Sequence, residues 1–86
     1  MDYEKESELL KALAHPVRLK MVEGLMNDEC NVNRIMNVLN IPQSTASQHL
    51  GKLKDKGILV ARKEGVRTCY KVANEKVQEI IKILKG

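Results

Sequence analysis

The residues best suited to specific chemistry lie in one polar stretch near the middle of the chain, residues 43–50. Helical spacing places Ala46 and Leu50 on one side of this stretch, where they can be buried. The opposite side carries uncharged polar residues, namely Gln43, Ser44, Ser47 and Gln48. A glutamine amide can make two hydrogen bonds to an adenine edge, and a serine hydroxyl can reach a base edge or a phosphate. The pattern therefore predicts a helix that contacts the major groove of DNA.

Three more residues of the same helix, Thr45, His49 and Lys52, are candidates for contact with the DNA backbone. His49 follows Thr45 by about one helical turn, so its ring can either contact the backbone or pack at the edge of the helix. The sequence leaves both interpretations of His49 open. Lys52 adds a positive charge of the kind that neutralises phosphate.

A basic segment around Gly65 contains Arg62, Lys63 and Arg67. These side chains suit flanking phosphates or the minor groove, although charges on an exposed strand also prevent aggregation. Residues 31–71 hold eight Lys and Arg against two acidic residues, a net charge of +6, whereas residues 1–30 have a net charge of −3. A basic segment beside an acidic one favours a polyanion-binding face.

The apolar spacing predicts the elements that position these residues. Helices are expected around Leu9–Ala14, over Pro16–Met26 with His15 as its cap, and over 33–39, 43–56 and 75–84. Gly57 should end the fourth helix in a left-handed conformation. Strands are expected at 58–63 and 66–72 around a Glu64–Gly65 turn, with a very short strand at Cys30–Val32.

This order predicts a fold that is mainly α with a small β-hairpin, namely a winged helix-turn-helix of five helices in a single domain, 1–86. The DNA-contacting parts are helix 43–56 and a basic wing, 59–72. The core has no Phe or Trp and depends on Leu, Ile, Val and Met. Because 86 residues bury little surface and the last helix has an unpartnered apolar stripe, we expect a dimer.

The chain resembles the ArsR/SmtB family of winged-helix bacterial repressors from about Leu9 to Leu84. The resemblance is carried by segments 12–19, 43–50 and 53–60, and by the wing 62–65 with Tyr70. It implies a homodimer held by the first and last helices, and repression through an inverted repeat in double-stranded promoter DNA. The expected dimer residues are Leu9, Leu10, Leu13, Val77, Ile80, Ile81 and Leu84.

The resemblance also implies an inducer, which the sequence does not identify. Cys30 matches the first residue of a family Cys-x-Cys metal site, but Val32 replaces the second, so we expect no metal and no cofactor. Cys30 and Cys69 leave a redox response open, because a strand at Cys30 should pair with the second wing strand. The alternation of that strand instead turns Cys69 outward if Tyr70 and Val72 face the core, and both cysteines can be plain thiols.

Other functional classes fit less well. We do not expect an enzyme, because the sequence contains no set of residues typical of a catalytic site. We also expect no membrane segment, because no apolar stretch is long enough to cross a bilayer. The acidic start of the chain lacks the features of a signal peptide, which predicts a cytoplasmic protein. The alternative function is a winged-helix module for protein interaction without specific DNA binding.

Overall fold

The computed structural model describes residues 1–28 and 30–86, and it confirms five helices and one antiparallel hairpin. The elements are α1 (Tyr3–Leu13), α2 (Pro16–Asn27), α3 (Val32–Leu39), α4 (Gln43–Asp55), β1 (Leu59–Glu64), β2 (Arg67–Val72) and α5 (Glu75–Lys85). The longest of these described helices, α4, has 13 residues, which is too short to cross a membrane.

Polar side chains begin four of the helices by accepting a free backbone N–H of the first turn. His15 caps α2 as expected, because its Nδ1 accepts the N–H of Val17 at 3.1 Å and Pro16 occupies the first helical position. Asp2, Asn31 and Asn74 do the same for α1, α3 and α5. The caps explain why these helices begin where they do.

The core contains side chains from every helix and both strands. Its most deeply buried members are Met21, Val22, Leu25, Leu53, Ile58, Leu59 and Val77. Val77 and Ile81 of α5 are 0% and 3% exposed within the single chain. The expectation that the stripe of the last helix has no partner inside one chain is therefore wrong for these two residues, since α5 packs on α2.

Two left-handed residues shape the connections of α4. Asn40 ends α3 with a φ of 54°, and the N–H of Ile41 then donates to the carbonyl of Met36. Gly57 has a φ of 75°, as expected of a helix stop, and Ile58 returns a hydrogen bond to Leu53. These two turns set where α4 begins and where the chain enters the hairpin.

The turn of the hairpin lies one residue later in the chain than expected. Glu64 pairs with Arg67, so the two turn residues are Gly65 and Val66 rather than Glu64 and Gly65. Gly65 has a φ of 64°, which a two-residue hairpin turn requires at its first position. Val66, at the tip, is fully exposed.

The short strand expected at Cys30–Val32 is not formed. Cys30 lies in a turn, Asn31 caps α3 and Val32 is already helical. The side chain of Asn31 accepts the N–H of Arg34 at 3.3 Å, which favours a helix start over a strand. One backbone hydrogen bond, from Cys30 to the carbonyl of Tyr70, connects this turn with β2.

Candidate nucleic-acid interface

Helix α4, called the recognition helix below, presents its polar side to solvent. Ala46, Leu50 and Leu53 are 1%, 5% and 0% exposed and hold it on the core, as the spacing predicts. The outward side chains are those of Gln43, Ser44, Ser47 and Gln48, all exposed. These side chains are free to meet base edges without disturbing the packing of the helix.

The beginning of the recognition helix offers unoccupied donors. Pro42 is the residue before its first turn, and no side chain of the described residues caps it. The first N–H groups therefore face solvent with the positive end of the helix dipole. A DNA phosphate beside Gln43 and Ser44 can satisfy such donors.

The three cations nearest to Gly65 have different partners. Arg62 donates from Nε and Nη2 to Oε1 of Glu64, and Arg67 donates from Nη2 to the carbonyl of Cys30 at 3.0 Å. Lys63 makes no ion pair or side-chain hydrogen bond to any part of the chain that the structure describes. Of these three cations, Lys63 can therefore bind a phosphate without first breaking an internal contact.

A cleft of about 350 Å³ separates the recognition helix from the wing. Gln43 and Ser47 line one side and Arg67 and Thr68 the other, with Cys30 among the remaining lining residues. The recognition helix and the wing, both predicted to contact DNA, thus lie on either side of this cleft. The turn at Cys30 also borders the cleft, so a change in the turn can affect both elements.

His49 is half-buried between α4 and α2, so the structure favours packing at the helix edge. Its ring centroid lies 4.7 Å from that of His15, with an angle of 56° between the ring planes. Burial, together with the nearby charges of His15, Arg18 and Lys52, lowers the pKa of His49. Lys52 is exposed, whereas Thr45 is half-buried.

Cys30 and Cys69 form a disulfide, with their Cα atoms 4.2 Å apart. Cys69 is 3% exposed, so the expectation that it turns outward to solvent is wrong. The alternation argument treated that side of β2 as open, whereas the turn at Cys30 covers it. Cys30 itself has a φ of 68°, which costs a non-glycine residue on the order of 1 kcal/mol.

A third potential ligand lies beside the two sulfurs. The ligand atoms of Cys30, Glu64 and Cys69 lie within 4.8 Å of one another. Sequence reasoning missed Glu64, because only the hairpin register brings residue 64 near residue 69. In the disulfide form neither sulfur is a thiolate, so only the carboxylate of Glu64 offers a strong ligand, and it already pairs with Arg62.

Comparisons with known proteins agree with this geometry. Residues 15–60 match the model of a family described as bacterial regulatory protein, arsR family. The chain belongs to the arsR family. It is a DNA-binding transcriptional regulator with a winged helix-turn-helix fold, and the matched segment spans α2 to the start of β1.

Three relatives of this ArsR-family chain are informative. The transcriptional repressor PagR of Bacillus anthracis is 45% identical over 98% of this chain and 85% of its own, and its crystal structure superposes with a TM-score of 0.85. Reduced HlyU from Vibrio cholerae gives a TM-score of 0.88 at 32% identity, covering 96% of this chain and 87% of its own. Mb0332 from Mycobacterium bovis, a homodimeric winged helix-turn-helix domain, gives 0.86 at 31% identity, covering 96% and 77%.

The predicted dimer residues of this ArsR-family chain divide into two groups. Leu9, Leu13, Val77 and Ile81 are buried within one chain. Leu10 and Leu84 are 54% and 65% exposed, and Ile80 is half-buried. The sequence reasoning overlooked Tyr3 and Ile83, which are 78% and 76% exposed on the same two terminal helices.

Proposed function

We propose that this ArsR-family chain is a homodimeric repressor that binds an inverted repeat in promoter DNA and blocks transcription by occluding polymerase. The observation that carries the proposal is the exposed, uncharged polar side of the recognition helix, together with the amine of Lys63, which has no ion-pair partner within residues 1–28 and 30–86. Uncharged polar groups suit base edges and a free cation suits phosphate. PagR, 45% identical to this chain, is a transcriptional repressor, which supports the assignment.

A second copy of the chain is the proposed partner on the terminal helices. Exposed apolar side chains of α1 and α5, at Tyr3, Leu10, Ile83 and Leu84, form the surface for it. An exposed ion pair of 2.9 Å between Lys76 and Glu6 connects these two helices. A two-fold axis there would place two recognition helices about one DNA turn apart.

The test is binding of the purified chain to its own upstream DNA and to a shuffled duplex of equal length, over a salt titration. Preference for the upstream duplex, with affinity that falls steeply as salt rises, is the expected result. Ser44→Ala and Ser47→Ala should reduce that preference. Equal, salt-independent binding or none at all would contradict the proposal and favour the alternative of a protein-interaction module.

The disulfide supports a redox response as the finer part of the proposal. A dithiol reductant would supply two electrons and two protons, leaving Cys30 and Cys69 as thiols and itself as a disulfide. The change would release a covalent link between the wing and the turn that precedes α3. We expect the two forms to differ in operator affinity, because the wing borders the DNA-facing cleft.

Operator affinity measured with and without reductant tests this part separately. Cys30→Ser and Cys69→Ser should abolish the difference, because neither variant can form the bridge. Equal affinity in both forms, with both variants unchanged, would remove the redox response and leave DNA binding in place.

A further inference from the structure

The contact between His15 and His49 joins the recognition helix to α2. The ring centroids are 4.7 Å apart, and His15 is simultaneously the cap of α2. Because Nδ1 of His15 accepts the N–H of Val17, the neutral ring of His15 carries its proton on Nε2.

The surroundings of His49 oppose a positive charge. The groups acting on it are His15 and Arg18 of α2 and Lys52 of α4, each cationic or able to become so. Nδ1 of His49 and Nε of Arg18 are buried without a hydrogen-bond partner among the described residues. From α1, Glu8 contacts the C-terminal end of α4, two turns beyond His49, where it pairs with Lys56 at 3.2 Å and also with Lys11.

We propose that the contact of His15 with His49 is a proton-sensitive joint, which loosens the recognition helix from α2 when the medium becomes acidic. The inference rests on the proposed function, in that the recognition helix must contact DNA. Protonation of His49 puts a cation against Arg18 and beside the ring of His15, which weakens the contact between the recognition helix and the start of α2.

The direction of the effect follows from proton linkage. Burial and nearby cations lower the pKa of His49, so the unfolded chain and a loosened helix both bind the proton more readily than the packed state does. The packed state therefore keeps its full stabilisation by neutral His49 above the ordinary histidine pKa, about 6.5. This stabilisation is lost as the pH falls through the lowered pKa of His49. A simple gain of positive charge would instead strengthen DNA binding at low pH.

The sign of the pH dependence is therefore the test. Affinity for the upstream duplex is measured by fluorescence anisotropy at fixed salt between about pH 8 and pH 5.5, with circular dichroism confirming the folded state. We expect the affinity of the wild type to fall roughly fivefold or more, which is the lower end of measured coupling between linked sites. His49→Gln, which cannot titrate, should show a flatter pH profile.

His15→Asn is the matched variant, because asparagine keeps the cap acceptor while removing the ring that contacts His49. NMR titration of the imidazole protons reports the pKa of His49 directly, and His15→Asn should raise it. If the affinity of the wild type for the upstream duplex stays constant or increases as the pH falls, the proposed proton-sensitive joint is wrong, while DNA binding itself remains supported. If no duplex is bound at any pH, the proposed function fails, and a His49 pKa at or above its ordinary value would overturn the joint as well.

Discussion

The recognition helix and the wing border the same cleft, but different forces hold them in place. Three buried apolar side chains, Ala46, Leu50 and Leu53, hold the helix on the core. The outer part of the wing is held to the turn at Cys30 by a disulfide, by the Arg67 hydrogen bond and by one backbone hydrogen bond. Packing is insensitive to redox state, whereas the disulfide is not, so the two halves of the interface should respond to different signals.

The largest expected effect concerns the recognition helix, which is held by apolar packing. Leu53→Ala removes a fully buried side chain and should lower the free energy of unfolding by about 2–5 kcal/mol, measured by urea denaturation. Val66→Ala, at the exposed tip of the wing, is the control and should change it by less than about 0.5 kcal/mol. Equal losses would show that packing does not distinguish the two regions.

The disulfide should give the next largest effect. It closes a loop of 39 residues, so reduction or Cys30→Ala should cost about 2–4 kcal/mol of unfolding free energy. Hydrogen exchange should then increase at the amides of β2 more than at those of the recognition helix. Uniform exchange across both elements would contradict the idea that the bridge mainly holds the wing.

A residue proposed to contact a base should change specificity rather than stability. Gln43→Ala is expected to reduce the preference for the upstream duplex over a shuffled one by about 1–3 kcal/mol, because the proposed bidentate contact to a base would be lost. Competition binding with the two duplexes measures the preference. An equal loss for both duplexes would reassign Gln43 from base edges to phosphate.

The smallest expected effect comes from the wing. Lys63→Ala should weaken binding to both duplexes alike and reduce the slope of log affinity against log salt by about 1. Arg62→Ala is the matched variant and should change the slope less, because Arg62 already pairs with Glu64. A larger change for Arg62 than for Lys63 would show that the internal pair opens on DNA.

Local patterns were sufficient for most of the helical framework. The cap at His15, the stop at Gly57 and the buried residues Ala46 and Leu50 all follow from spacing within a few positions of the chain. The hairpin turn was displaced by one residue, because Gly65 accepts either place in a tight turn and only the cross-strand pairing of Glu64 with Arg67 selects one.

The contacts between distant residues are where sequence reasoning failed. Whether Cys69 faces solvent depends on a turn 39 residues earlier, and alternation along β2 contains no information about that turn. The burial of Val77 and Ile81 likewise depends on α5 folding back over α2. No local spacing distinguishes an apolar stripe that packs within its own chain from one that awaits a partner.

The sequence by itself determined that this chain is a winged helix-turn-helix of the ArsR family with a polar recognition helix and a basic wing. Periodicity, caps and turn residues act between residues that are close in sequence, so they can be recognised from the sequence alone. Only the tertiary structure decided that Cys30 meets Cys69 and that His49 meets His15. It also decided that Arg62 and Arg67 have side-chain partners whereas Lys63 has none among the described residues. Such contacts join residues far apart in sequence, and their formation depends on how the packed elements are oriented.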